Sequence, residues 1–262
     1  MTIQLYQVDA FTDKIFSGNP AAVCPLVQWP KKRALLQEIA AENNLSETAF
    51  FVPKSPGRYE LTWFTPTKEI DLCGHATLAA AHIICTELGF EGDSIVFETP
   101  SAGELTVTKP EGDLYSLNFP SRKPEKAVSP PGLLEALGGS PIAVLAARDY
   151  MVVYETDEDI LDLEPNMSIL KKMDKDVIVT AEGNTVDFVS RFFAPASGIE
   201  EDPATGSAHC TLIPFWAEKL EKKKMHALQI SRRQGEFFCI DKGDRVEIMG
   251  QAVTYLKGEI FL

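Results

Sequence analysis

The 262-residue chain lacks the features that several classes of protein require. It has no apolar run approaching the roughly 18 residues that a membrane-spanning helix needs. Its beginning, MTIQLYQVDAFTD, has neither the basic segment nor the apolar segment of a signal peptide, so we expect none. The five cysteines are widely spaced and form no CxxC pair. That pattern favours reduced thiols in the cytoplasm over a disulfide framework.

A surplus of positive charge is also missing. The formal net charge of −13 argues against nucleic acid and anionic lipid as partners. The chain has no Gly-rich phosphate loop, GxSxG elbow or GxGxxG fingerprint, which weakens kinase, hydrolase and dehydrogenase interpretations. No His, Cys and Asp residues have the sequence spacing of metal ligands, so the sequence implies no metal.

What the chain does contain is a pattern that occurs twice. Each copy is predicted as strand, Pro turn, acidic loop, Gly with a proton-handling residue, and helix. The copies are FTPTKEIDLCGHAT and FAPASGIEEDPATGSAH, in which Gly74 and Gly206 hold the same place about half the chain apart. Two such halves would bring both helix starts to one groove. Free N–H groups and the positive dipole end make such a groove suitable for a carboxylate.

The hydrophobic patterns predict many strands and few helices. Alternating segments such as 3–9 and 59–65 predict strands, a helix is expected to open at Pro30, and helix 75–88 is apolar all round, as buried helices are. A second buried helix, 207–219, contains Pro214, which predicts a kink.

The Pro-rich and charged segment 120–132 is predicted to be a linker. We therefore predict an α+β fold of two pseudo-symmetric lobes, residues 1–119 and 120–262. Each lobe is expected to be a mostly antiparallel sheet rolled around one central apolar helix. We expect the last strand to pack back onto the first lobe.

Two residues of the first half are candidates for proton transfer. Glu47 stands just ahead of the apolar run AFFV, where a carboxylate suits general acid–base work; a solvent-facing glutamate at a strand end is the alternative. His75 follows Gly74 at a helix start, where the dipole favours the neutral imidazole. A capping or structural histidine is the alternative for His75.

Two residues of the second half flank the second helix start. Asp202 is a candidate for orienting His75, and Ser207 for hydrogen-bonding a substrate carboxylate or amine. The alternative is a capped helix behind a solvated acidic loop, to which Glu200 and Glu201 are expected to belong.

The motifs SGNPAAV, NNLSETAFF, FTP…DLCGHAT and DPATGSAH occur in order and in register. With them, the chain resembles the PhzF family, the phenazine-biosynthesis-like proteins, over nearly its whole length. That family shares its two-lobed architecture with diaminopimelate epimerase and proline racemase. The resemblance implies a cofactor-independent isomerase that acts at carbon, commonly as a homodimer.

Carried over position by position, the resemblance implies that Glu47 shuttles the proton, with His75 and Asp202 stabilising the shifting charge. Glu47 would take a proton from a carbon of a small unsaturated carboxylate and return it to another carbon on the same face. The resemblance further implies that the substrate is contacted by Ser46, Gly74, Gly206, Ser207 and Asn19.

Two other functions remain as alternatives. A two-cysteine racemase or epimerase places one thiol before each helix, and Cys73 holds the first of these places. Thr205 holds the second, and its hydroxyl is far too weak an acid or base to replace a thiol. Cys210 lies one turn inside the helix and is no substitute. A non-catalytic ligand-binding or scaffold protein that keeps the groove is the other alternative.

Overall fold

The computed structural model describes residues 2–109 and 112–262. The chain divides into two compact units. The first unit comprises Met1–Asn118 together with Met249–Leu262, and the second comprises Phe119–Ile248. Across the described ranges, no helix is both long enough and apolar enough to cross a membrane.

Strands account for most of the regular structure. They are β1 (Thr2–Ala10), β2 (Asn19–Pro25), β3 (Glu47–Ser55), β4 (Arg58–Phe64), β5 (Glu69–Ile70), β6 (Ser94–Thr99), β7 (Gly103–Thr108), β8 (Tyr115–Pro120), β9 (Glu125–Lys126), β10 (Ala143–Ala146), β11 (Tyr150–Val153), β12 (Val177–Glu182), β13 (Phe188–Ala194), β14 (Ile199–Asp202), β15 (Lys224–Gln229), β16 (Gly235–Asp241), β17 (Arg245–Gly250) and β18 (Ala252–Phe261). The helices are α1 (Ala34–Asn43), α2 (Gly74–Thr86), α3 (Leu133–Leu137), α4 (Asp157–Leu161), α5 (Met167–Leu170) and α6 (Gly206–Leu220).

The first unit is built on a mixed, mostly antiparallel sheet. β18 pairs antiparallel with β1, and β1 pairs antiparallel with β2. β2 and β3 are then parallel, β3 and β4 antiparallel, β4 and β6 parallel, and β6 and β7 antiparallel. The short β5 lies antiparallel against β4. The last strand therefore completes the sheet of the first unit.

The second unit repeats that order of pairings. β11 and β12 are parallel, β12 and β13 antiparallel, β13 and β15 parallel, and β15 and β16 antiparallel. The short β14 lies antiparallel against β13, as β5 does against β4. In each unit the long buried helix holds the same place in the chain order. The helix α2 lies between β5 and β6, and α6 lies between β14 and β15. This is the α+β architecture that the sequence predicts.

The helix α2 is the centre of the first unit. Its apolar side chains from Ala76 to Ile84 are at most 1% exposed, and it contacts β1, β2, β3 and β18. Four of those side chains are alanines, whose small size lets strands approach the helix closely on all sides. The prediction of a helix buried all round is correct, although α2 ends at Thr86.

The helix α6 is continuous across Pro214. A proline has no N–H, so the carbonyl of Cys210, four residues earlier, loses its helical donor. The backbone N–H of Arg122 donates to that carbonyl at 2.9 Å instead. A segment predicted as a linker thus supplies the hydrogen bond that makes the proline tolerable inside a buried helix.

Two predicted features need correction, and one helix was not predicted. The helix expected at Pro30 begins at Ala34. The acidic residues before the second helix form β14 rather than a solvated loop, and Glu201 there makes a paired contact with Arg191 at 2.7 and 3.0 Å. Finally, α4 was not foreseen, although Thr156 and Asp159 form a capping box at its start.

Candidate functional site

The carboxylate of Glu47 is placed by the parallel pairing of β2 with β3. Glu47 is the first residue of β3 and lies opposite Ala21, two residues after Asn19 opens β2. Gly18, just before Asn19, has a φ of 63°, and a Cβ there would collide with the carbonyl oxygen of Ala10. A glycine is therefore required in the turn that presents Asn19 at the strand start.

His75 is the second residue of α2, and its imidazole lies against the start of β3. Its Nε2 is 3.0 Å from Oε2 of Glu47. Its Nδ1 is 3.2 Å from Nδ2 of Asn19 and 3.5 Å from Sγ of Cys73. All four residues are more than nine-tenths buried. The pair of Glu47 and His75 is thus enclosed by the amide and the thiol.

The orientation of the Asn19 amide is linked to the protonation state of His75. With the amide nitrogen toward the ring, it donates to Nδ1 of a neutral imidazole, which then carries its proton on Nε2 and directs it toward Glu47. An imidazolium requires the reversed amide, in which the Asn19 carbonyl oxygen accepts from Nδ1–H. One rotation of this side chain accommodates both forms of the histidine.

The neighbours of His75 act against the neutral form that the sequence analysis expects. Burial alone would lower the pKa of His75, but Cys73 and Glu47 raise the pKa well above its ordinary value. Burial raises the pKa of Cys73, and the charge of Glu47 raises it further, against an opposing effect of His75. The neighbours of His75 therefore favour its protonated form, and burial favours the thiol form of Cys73.

In the second unit, Asp202 ends β14 and Thr205 immediately precedes α6. The hydroxyl of Thr205 donates to the carboxylate of Asp202. Gln229 of β15 is fully buried and holds both ends of this turn. Its amide nitrogen donates to the carbonyl of Asp202 at 2.6 Å, and its carbonyl accepts from the N–H of Thr205 at 2.8 Å. Gln229 is a positioning residue that the sequence did not single out.

A positively charged side chain, that of Arg148, lies at the start of α6. Arg148, in the turn between β10 and β11, donates to the hydroxyl of Ser207 at 3.2 Å. Its Nε donates to the buried carboxylate of Asp149 at 3.1 Å. The contact with Ser207 is not visible in the sequence, because the two residues are 59 positions apart in the chain. The second helix start therefore offers a hydroxyl and a guanidinium together.

The predicted site residues fall into two groups. In the first unit, the structure brings Asn19, Glu47 and His75 into contact, with the half-buried Ser46 next to Glu47 and Gly74 as the first residue of α2. In the second unit, Gly206 is the first residue of α6 and Ser207 the second. Asp202 is buried three residues before Thr205.

Sequence spacing did not reveal that Glu47, Cys73 and His75 form one cluster. One potential ligand atom from each lies within 4.8 Å of the other two. Glu47 lies 26 residues before Cys73 in the chain, as their numbers show. Pairing of β2 with β3 and packing of α2 against both strands bring the three together.

Residues 8–258 match the family model of the PhzC-PhzF phenazine biosynthesis-like proteins. The chain belongs to this family. A Pseudomonas aeruginosa protein named as an uncharacterized isomerase is 47% identical over the full length of both chains. The crystal structure of a PhzF-family protein from Enterococcus faecalis is 44% identical, covers 100% of both chains and has a TM-score of 0.96. The resemblance predicted from the four motifs is confirmed.

A more distant likeness extends to epimerases. The hydroxyproline epimerase of Agrobacterium vitis is 12% identical over 99% of this chain and 92% of its own, with a TM-score of 0.61. At that identity the likeness shows the fold alone. This chain therefore has the fold that the sequence analysis predicts.

Proposed function

We propose that the chain is an isomerase that moves a proton between two carbons of a small unsaturated carboxylate, with Glu47 as general base and acid. The observation that carries the proposal is the buried contact of Glu47 Oε2 with His75 Nε2 at 3.0 Å. A relative at 47% identity that is named an isomerase supports the reaction class.

The proposed reaction has two proton transfers. Glu47 removes a proton from a carbon flanked by unsaturation, and the electron pair delocalises into the adjacent π system. The same carboxyl group then returns the proton to another carbon on the same face. Protonated His75 stabilises the negative charge that develops on the substrate, because a fixed cation in a buried site acts with little screening.

The start of α6 supports a carboxylate as the recognised group. Gly206 and Ser207 begin the helix, where N–H groups and the dipole favour an anion. Arg148 adds a guanidinium beside the Ser207 hydroxyl. Paired N–H donors of arginine match the geometry of a carboxylate. We propose that this corner binds the substrate carboxylate.

The structure also bears on the two-cysteine racemase. Cys73 is the N-cap of α2, and Thr205 is the N-cap of α6, so the two residues hold equivalent positions. The Thr205 hydroxyl is engaged with Asp202. A mechanism that needs one thiol at each helix start has only Cys73, and burial raises its pKa.

The proposed reaction moves a proton and leaves the oxidation state unchanged, so we propose that it proceeds without a cofactor. A homodimer in the cytoplasm is proposed from the family resemblance and the reduced cysteines.

The test is proton–deuterium exchange in heavy water, followed by NMR, with a panel of unsaturated amino and hydroxy carboxylates. Wild type is compared with Glu47→Gln and with Glu200→Gln, a matched change at an exposed acid of β14. The proposal predicts exchange or isomerisation with wild type and Glu200→Gln but not with Glu47→Gln.

The binding-protein alternative predicts a different result. A panel member would then bind wild type and Glu47→Gln with equal affinity, and no proton of the ligand would exchange. Saturation-transfer NMR on the same samples measures that binding. Tight binding without exchange in wild type would contradict the proposed isomerase.

A further inference from the structure

The cluster of Glu47, Cys73 and His75 has a second chemical capacity. It combines a carboxylate, a thiol and an imidazole, and each of the three residues is more than nine-tenths buried. These are the ligand types that Zn²⁺ takes in proteins, whereas Mg²⁺ and Ca²⁺ select oxygen. We propose that these three residues bind a thiophilic divalent cation such as Zn²⁺, and that the bound ion blocks proton transfer by Glu47.

The spacing of the ligand atoms fits a tetrahedral ion. Zinc bonds of about 2.0–2.1 Å to nitrogen and oxygen and about 2.3 Å to sulfur separate N from O by roughly 3.3 Å and N from S by roughly 3.6 Å. In the protein, His75 Nε2 lies 3.0 Å from Glu47 Oε2 and 3.9 Å from Cys73 Sγ. These two separations must each change by only about 0.3 Å, and the third, between the ligand atoms of Glu47 and Cys73, lies within 4.8 Å, whereas a tetrahedral ion requires roughly 3.6 Å.

Asn19 supplies the outer-shell partner that a metal-bound histidine needs. With the ion on Nε2, His75 carries its proton on Nδ1 and requires an acceptor there. The Asn19 amide is 3.2 Å from Nδ1, and its reversed orientation presents the carbonyl oxygen. Asn19 is therefore a positioning residue for the proposed site.

The charges of the ligands also suit the ion. A thiolate and a carboxylate together neutralise a dication, and the histidine binds as the neutral ring. The ion replaces the thiol proton of Cys73 and the Nε2 proton of His75, and both protons pass to solvent. Three protein ligands leave a fourth coordination position for water or a substrate oxygen.

Inhibition follows from competition for the Glu47 carboxylate. A carboxylate bound to a dication is a much weaker base toward a proton on carbon. This consequence rests on the proposed role of Glu47 as the base, whereas the binding of the ion does not.

The experiment measures metal binding to the whole chain without any turnover. Zn²⁺ alone is titrated in competition with a chromophoric chelator, and Co²⁺ is used as a spectroscopic substitute. We expect one tight equivalent of Zn²⁺ and a thiolate-to-cobalt charge-transfer band in wild type. Mg²⁺ should not compete for the site.

Variants locate the site. Cys73→Ser and Glu47→Gln should weaken Zn²⁺ binding by at least roughly a hundredfold, because loss of an outer-shell partner alone costs about ten- to a hundredfold. Asn19→Ala should weaken Zn²⁺ binding by about ten- to a hundredfold. Cys85→Ser, at a half-buried thiol elsewhere on α2, is the matched control and should bind like wild type. His226→Gln removes the surface His–Glu pair and should also have no effect.

Two results would overturn the proposal. One is Zn²⁺ binding that survives Cys73→Ser, or that Cys85→Ser or His226→Gln removes. The other is a cobalt spectrum without the thiolate band. Thermal unfolding of every variant shows that the fold is intact, and Cys73→Ala provides a second substitution if the serine is not tolerated. Since no turnover is measured, failure of the proposed isomerisation would leave these outcomes unchanged.

Discussion

Asn44 has a φ of 50° where α1 ends, and its N–H caps the helix at the carbonyl of Ala40. Asparagine is one of the few residues that adopt this left-handed conformation readily. The turn lets the chain reverse within three residues and begin β3 at Glu47. A single backbone conformation thus contributes to the position of the proposed base.

Gln229 is the residue whose loss should most disturb the turn from Asp202 to Thr205. Gln229→Leu removes hydrogen bonds to both residues and leaves buried polar groups without partners. Each such group costs about 1–3 kcal/mol, so we expect the free energy of unfolding to fall by roughly 2–4 kcal/mol. Urea denaturation measures the change. Gln4→Leu, at an exposed residue, is the control and should change stability little; an equal effect of the two would contradict the assigned role.

Arg148 is expected to contribute to recognition of the substrate rather than to proton transfer. Arg148→Met should weaken binding of an exchanging carboxylate by roughly tenfold or more, since a charge-assisted hydrogen bond is worth about 1.5–3 kcal/mol. The exchange rate at saturating substrate should change much less. A fall in the saturated rate with no change in affinity would contradict this role.

Two buried histidines, His82 of α2 and His209 of α6, should make stability depend on pH. Burial lowers the pKa of His82 and of His209 to about 4, from an ordinary 6.5. The unfolded chain therefore binds these protons first as the pH falls. The stability that each histidine contributes is complete above about pH 6.5 and is lost as the pH falls to about 4, by at most roughly 3 kcal/mol per histidine.

The measurement is the free energy of unfolding by urea at several pH values between 4 and 7. His209→Gln should flatten the curve across this window relative to wild type. Carboxylates titrate in the same range, so the comparison is the difference between variant and wild type. Parallel curves for wild type and His209→Gln would contradict the prediction.

The elements that sequence patterns predicted best are those whose burial is uniform. The helix α2 is apolar on every face, and its identification needed no knowledge of its neighbours. The strand β14 could not be predicted, because its Ile-Glu-Glu-Asp sequence is polar and it forms only by pairing with β13. Pairing partners are set by tertiary structure, which local propensity does not contain.

The candidate site shows the same division. The motifs were sufficient to select Glu47, His75, Asp202 and Ser207, because the family resemblance carries them. Contacts between residues far apart in the chain could not be predicted from the sequence. The cluster of Cys73 with Glu47 depends on the parallel pairing of β2 with β3, and the contact of Arg148 with Ser207 depends on packing around α6.

At the scale of the whole molecule, the last strand of the chain, β18, belongs to the first unit. β18 pairs with β1 along almost its full length, from Ala252 to Phe261. Removing residues 252–262 would expose the edge of β1 and one flank of α2. We expect the melting temperature to fall by roughly 10 °C or more, since each 1 kcal/mol shifts it by about 2–4 °C in a domain of this size.

The control for that truncation is removal of Phe261 and Leu262 alone, both of which are exposed. Differential scanning calorimetry compares the two shortened chains with the full chain. Equal melting temperatures for the longer truncation and the full chain would contradict the structural role of β18.

The central claim is that one carboxylate, that of Glu47, carries the proton. The most direct measurement is the rate of substrate deuterium exchange in wild type, Glu47→Gln and Cys73→Ser under identical conditions. The account predicts a loss of at least about a hundredfold in Glu47→Gln, since general acid–base groups contribute about 10²–10⁴-fold, and a rate near that of wild type in Cys73→Ser. Exchange that persists in Glu47→Gln and disappears in Cys73→Ser would contradict the account and identify the thiol as the base.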